Sequence, residues 1–234
     1  YPAVTLRDIG INGGQVIAFT YDLAKSIVLT RQGNPAWAGQ ERDGIRVIRS
    51  NDLFFGNSST DPQTDWIDLN KVAIPQADEQ MRLLSKIILQ GNMDKKPLPR
   101  FWFLPSGKKA AIVMTGDDHG FNRTSDIFNK FKTDGPNSPQ DVADWKAVRG
   151  TSYIYPATPI TNAEIAQFQS EGFEIALHLN TGCENWTPAS WKQNWKDQWN
   201  LMKDFYPSIN NAMTHRTHCI AWSDWVNQAK QQAE

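Results

Sequence analysis

From Lys108 onward, short apolar runs and helix-like segments alternate about four times, and each run ends in polar, chemistry-bearing residues. Ala110 to Thr115 is a fully apolar run, and Thr151–Tyr155, Phe173–His178 and Ala212–Arg216 follow as further strand candidates. Between them, Thr124 to Lys132 reads as a helix, followed by a Gly-Pro-Asn-Ser-Pro loop. Thr161-Asn162-Ala163-Glu164 reads as a capping box opening a helix that stops at Gly172. Thr187-Pro188 starts a long helix to about Tyr206, and Ser223 to the end reads as helical. Strands alternating with helices predict a parallel sheet or barrel, whose chemistry collects at the C-terminal strand edge.

The first half of the chain has a different texture. Residues 12–30 read as a glycine turn, a short apolar strand and a short helix, and Arg31 to Thr64 reads mostly as loop. Pro75 opens a helix in which Ala77, Met81, Leu84, Ile87 and Ile88 recur at helical spacing until Gly91 stops it. Lys95 to Pro105 is a proline-punctuated connection. The expected division is therefore 1–105 and 106–234.

All four histidines fall in three short segments of the second half, each at a strand end. The first segment is Thr115-Gly116-Asp117-Asp118-His119-Gly120. Two adjacent carboxylates are awkward neighbours unless they share a proton or a cation. A divalent metal would settle one of them and leave the other free as a general base; the alternative is a helix-capping pair in solvent. The second segment ends in His178, with Asn180, Thr181 and Glu184 on the same loop. A lone histidine at a strand end is more often a hydrogen-bonding residue than a ligand, and the Asp-Asp segment raises its standing. In the third segment, Thr214 to Cys219, Arg216 could hold an aspartate or neutralise an oxyanion. There His218 could reach a metal or act as an acid, and His215 fits a polar capping role equally well. The donors suit zinc or a similar divalent ion, and hydrolysis at an acyl carbonyl by metal-activated water.

Composition narrows the partners. A net charge of -1 gives no electrostatic case for nucleic acid, and no apolar run approaches the ~20 residues of a membrane span. Tyr1 to Asp8 lack the regions of a signal peptide. Cys183 and Cys219, the only cysteines, fit one disulfide or two buried thiols; their position beside the site segments favours the disulfide. Seven of the ten tryptophans lie beyond Trp102. Trp191, Trp195 and Trp199 share one helix face, which predicts core or an inter-domain seam rather than a sugar platform.

These segments resemble the NodB-homology polysaccharide deacetylases of carbohydrate esterase family four. Thr115-Gly116-Asp117-Asp118 is similar to that family's Thr-Phe-Asp-Asp-Gly, with an unusual His119 after it. Gly172 to His178 is similar to the first seven positions of its Gly-His-Glu-Ile-Gly-Asn-His-Thr-x-Ser-His motif. The resemblance covers about Lys108 to Glu234. It implies a partial (β/α) barrel with Asp117 as general base and Asp118 and His178 as metal ligands. Arg216 matches the arginine of the family's third motif, without its usual prolines. The family's second metal histidine falls on Gly182. Either His218 or His119 completes the shell, or the metal is bound weakly or not at all. His215 and Asn180 remain additional candidates.

What this implies is a metal-dependent, secreted or periplasmic bacterial hydrolase removing acetyl groups from a polysaccharide or glycan. The alternatives are an inactive glycan-binding module of the same fold and a hydrolase of a non-sugar amide. The family barrel needs further strands, so the resemblance also implies a truncated barrel or one completed by a further segment or chain. Separately, Gly13 to Leu23 looks like the last strand of a class I glutamine amidotransferase-like domain. That makes residues 1–105 an α/β/loop segment of a second domain, without a Cys-His pair for catalysis.

Overall fold

A computed structural model describes residues 1–11, 13–54, 73–92, 104, 107–209 and 212–233. The chain divides into two compact units: Tyr1–Arg46 with Ser50–Lys108, and Val47–Arg49 with Lys109–Glu234. Lys95 to Pro105 lies outside the described residues, apart from Leu104.

In the first unit, β1 (Val4–Ile9) and β2 (Gly14–Phe19) form an antiparallel hairpin with Val4 opposite Phe19. Gly10 and Gly13 take φ of 72° and 75° in its turn, a region open to glycine at no steric cost. Helix α1 (Leu23–Gln32) starts where the Asp22 side chain accepts a hydrogen bond from the Lys25 N–H at 2.9 Å. It stops at Gly33, where a Cβ would stand 2.8 Å from the Leu53 carbonyl oxygen. Two 3₁₀ turns, Pro35–Trp37 and Ser50–Leu53, follow within the stretch expected to be loop. Helix α2 (Gln76–Gln90) has the bounds that Pro75 and Gly91 predict, and Arg31 of α1 pairs with its Asp78. Among the described residues the unit is thus a hairpin with two helices and two 3₁₀ turns; its first strand, Val4–Ile9, lies outside the stretch expected to hold the strand.

The second unit is a mixed α/β structure around a curled, half-barrel sheet of four parallel strands. The strands are β3 (Thr115–Asp118), β4 (Thr151–Ile154), β5 (Glu174–Leu179) and β6 (Arg216–Thr217), adjacent in that order. Helices α3 (Arg123–Thr133) and α4 (Pro139–Ala143) connect β3 to β4, α5 (Asn162–Ser170) connects β4 to β5, and α6 (Pro188–Phe205) connects β5 to β6. Helix α7 (Asn227–Gln232) follows. Strand β5 is buried on both faces, which explains its apolar run from Ile175 to Leu177, and Ile175, Ala176, Leu177 and Leu179 have no exposed surface. Against it pack Phe128, Phe168 and Phe173, with the rings of Phe128 and Phe173 stacked at 4.3 Å, and Trp191 and Met202 of α6. Trp195 and Trp199 continue the stack from Trp191 at 5.5 and 5.9 Å and are partly buried against the same core.

Three expectations are corrected. The first strand is not Ala110–Thr115: the ladder begins at Thr115, and Ile112 and Val113 are 84% and 83% exposed. The Thr151 N–H to the Met114 carbonyl is the first rung, since β4 starts at Thr151, and no described residue pairs with 110–113. The last strand is two residues rather than five, because the backbone N–H groups of Met213 and Thr214 donate to the Glu174 carboxylate at 2.8 and 3.0 Å. The Gly-Pro-Asn-Ser-Pro loop ends one residue early. Ser138 and Asp141 form a capping box that opens α4 at Pro139.

Candidate metal centre

The sheet register sets the site. Asp118 pairs with Ile154, Ile154 with Leu177, and His178 with Arg216. One step past the ends of β3 and β4, His119 and Tyr155 therefore come level with His178 and Arg216 at the C-terminal edge. His119 lies stacked on Tyr155, ring centroids 5.3 Å apart, and meets His178 and His218 edge-on at 4.9 Å each. One ring nitrogen from each of His119, His178 and His218 lies within 4.8 Å of the other two.

Within that cluster, His178 Nε2 is 3.0 Å from His218 Nδ1. Two nitrogens bound ~2.0–2.1 Å from a tetrahedral zinc are about 3.3 Å apart, close to this spacing. His178 is almost wholly buried, and its Nδ1 makes no hydrogen bond among the described residues, with Asp117 Oδ1 at 3.6 Å. Burial pushes the His178 imidazole down to about 4; Asp117 opposes this, while His119, His218 and Arg216 add to it. His218 is also held below its ordinary value, by burial and by His119, against the pull of Asp117. Imidazoles that resist protonation keep the lone pairs a metal needs. His119 is exposed, so the cluster opens to solvent on one side.

Asp117 sits beside this cluster and is held by Arg216, whose Nη1 donates to its Oδ1 at 2.8 Å. The arginine of the third segment thus does hold an aspartate, and its guanidinium lies over the Tyr153 ring. Tyr155 went unmarked in the sequence, although its place at the end of β4 is the same signal that marks the histidines.

Asp118 has a different job. One oxygen accepts from the Phe121 N–H at 2.8 Å; the other accepts from the Thr124 N–H and hydroxyl, each at 3.0 Å. Burial alone pushes its carboxyl up, but the bonds from Thr124 and Phe121 outweigh it and hold it below the usual carboxylate range. The structure brings Asp118 to the start of α3 and not to the histidine cluster, whose third nitrogen is that of His119. Asp118→Ala is therefore expected to cost about 3 kcal/mol of stability through lost charge-assisted hydrogen bonds. Bound metal per folded protein should not change; loss of metal in a variant still folded by circular dichroism would restore Asp118 as a ligand.

Gly182, where the resemblance expects a second metal histidine, takes φ 68° in a turn closed by its N–H to Asn180 Oδ1 at 2.8 Å. Asn180 is thereby a turn residue. The same turn carries Cys183, which is joined to Cys219 by a disulfide with Cα atoms 5.4 Å apart.

His215 stands away from the cluster, edge-on to Trp191 and Trp195 and bonded to Gln228 at 2.8 Å and to Gln232. Burial pushes its imidazole down to about 4. An unfolded histidine titrates near ~6.5, so between those values the unfolded chain binds the extra proton. The stability tied to neutral His215 is full above about pH 6.5 and is lost as pH falls toward about 4, on the order of 2–3 kcal/mol. Urea midpoints at pH 7 and pH 4.5 should show a smaller acid loss in His215→Gln than in the parent. An equal loss in both would assign the acid sensitivity elsewhere.

In the first unit, carboxylate oxygens of Glu41, Asp43 and Asp52 also lie within 4.8 Å of one another. Asp52 Oδ1 there accepts from the Arg42 and Asp43 N–H groups, which makes it a loop anchor. Among the described residues, no helix is long and apolar enough to cross a membrane. Comparison of the chain with protein-family models, with curated proteins and with solved structures finds no match.

Proposed function

We propose that the second unit is a metal-dependent hydrolase that removes acetyl groups from a polysaccharide or glycan. The observation that carries the reading is the convergence of three imidazole nitrogens beside an arginine-held carboxylate. His119, His178 and His218 would hold the ion. An all-nitrogen, three-residue set with one open side suits zinc. When bound, such an ion polarises an acyl carbonyl and makes water more acidic.

The chain's own residues do the rest. Asp117 is the general base, taking a proton from the attacking water. Arg216 holds in place the Asp117 oxygen that faces His178. Tyr155 holds the exposed His119 ring in place by stacking. The disulfide supports a secreted or periplasmic setting. A glycan-binding module would need exposed aromatics in a groove. Trp191, Trp195 and Trp199 are committed to packing.

Elemental analysis after zinc reconstitution tests the reading, together with acetate release from acetylated chito-oligosaccharides and acetylated xylan. About one equivalent of zinc is expected, with at least tenfold weaker binding in His119→Ala, His178→Ala and His218→Ala. A reconstituted protein holding no metal would end the hydrolase proposal. Metal without acetate release from either substrate would move it toward a non-sugar amide.

A further inference from the structure

His218 belongs to two groups of donors at once. Besides the three-histidine cluster, one of its ring nitrogens lies within 4.8 Å of the sulfurs of Cys183 and Cys219, which also lie within that distance of each other. Both cysteines are partly exposed, so a reductant can reach the bond. The backbone around it is strained. Cys183, Cys219 and Ile220 take φ of 57°, 58° and 57°, a region that side chains rarely adopt and that a β-branched residue resists most. The Ile220 side chain is exposed, so burial does not hold it there. Just beyond, Ala221 is fully buried and bridges Arg49, and the Trp222 N–H donates to the Ile48 carbonyl at 2.9 Å. His218 to Ile220 is therefore anchored after the strained residues by backbone, and within them by the disulfide.

We propose that Cys183, Cys219 and His218 form a second, thiolate-bearing site for zinc or a similar borderline ion, opened by reduction of the disulfide and sharing His218 with the three-histidine centre. That sharing rests on the metal-centre reading, whereas the thiolate site itself does not. The step needs a dithiol. One thiolate of the dithiol attacks a cysteine sulfur and displaces the other as a thiolate. Its second thiol then resolves the mixed disulfide, leaving the dithiol oxidised and Cys183 and Cys219 reduced by two electrons. Metal binding releases the two thiol protons. Thiolates bound ~2.3 Å from a tetrahedral ion stand about 3.8 Å apart, a separation that side chains on Cα atoms 5.4 Å apart can reach. Sulfur ligands compete well for zinc against a third imidazole, so reduction redirects His218 from one group to the other.

The test uses full-length His178→Ala, which lacks a member of the three-histidine centre but keeps all three donors of the new site. Oxidised and dithiol-reduced samples are titrated with cobalt(II) after anaerobic removal of the dithiol. The reduced variant is expected to bind one cobalt with a thiolate-to-metal charge-transfer band. Binding should weaken at least tenfold, with loss of the band, in the oxidised sample and when Cys183→Ser or Cys219→Ser is added. No cobalt uptake by the reduced variant, uptake without the band, or uptake unaltered by either serine overturns the proposal. So does global unfolding on reduction, read by far-ultraviolet circular dichroism. If the oxidised parent binds no metal while the reduced variant does, the thiolate site stands and the hydrolase reading falls; the reverse pattern sinks the thiolate site alone.

Discussion

Asp117→Asn is expected to lower kcat/KM for acetate release by roughly a hundred- to ten-thousand-fold, the span of a lost general base. The amide keeps the carboxylate's shape and one oxygen to accept from Arg216, so the contact at 2.8 Å can survive without the basicity. Asp117 is not one of the residues whose nitrogens converge, and bound zinc should remain near one equivalent. The side chain is 29% exposed, so stability should move by less than about 1 kcal/mol. The combination matters: activity gone, metal kept, fold kept. Hydrolysis retained by this variant would remove Asp117 from the mechanism, and loss of metal would recast it as a ligand. Arg216→Ala should give a smaller loss of rate, because it leaves the base present but unheld.

The largest loss of stability is expected at Trp191, where substitution by Ala should cost about 3–5 kcal/mol. Its ring has no exposed surface, stacks on Trp195 at 5.5 Å, lies tilted against Trp186 at 6.2 Å and meets His215 edge-to-face. Its Nε1–H makes no hydrogen bond among the described residues. What the residue contributes is therefore volume and contact, and Trp191→Phe, which discards that N–H, should cost only about 1–2 kcal/mol. Urea denaturation of the pair decides the point. Equal losses in both variants would mean that the indole N–H matters more than the packing.

Legibility in the sequence followed locality. The capping pairs of α5 and α6 lie within three residues, Thr161 with Glu164 and Thr187 with Ser190, so short-range chemistry announces both helices. Gly91 and Gly172 stop helices for equally local reasons, and the apolar run of β5 is visible because both faces are buried. The same capping signal at Ser138 and Asp141 was present and was masked by the surrounding Gly-Pro-Asn-Ser-Pro composition. Long-range pairing is where local reading fails. Ala110 to Val113 has strand composition but no described partner. Met213 and Thr214 lie next to a strand, but a carboxylate 39 or more positions away takes their donors. The division of labour between Asp117 and Asp118 depends on which neighbour turns toward α3, and two adjacent carboxylates look alike until that turn is known. His218 is marked by its own segment and His119 only as a replacement for the histidine missing at Gly182; that their rings converge with His178 is a property of the register.

That register has a mechanical consequence. Arg216 reaches Asp117 because it sits level with His178, and the backbone secures this with only two paired residues, His178 with Arg216 and Leu179 with Thr217. A slip of β6 by a single residue would offer Asp117 Thr217 or His215, depending on its direction, and turn the guanidinium to the opposite side of the sheet, with the rest of the unit intact. Glu174, gripping Met213 and Thr214 on one side, and Gln228, bonded to Thr217 at 3.1 Å on the other, therefore work as registration pins. They touch no reacting atom, yet they decide which side chain the sheet delivers to its edge.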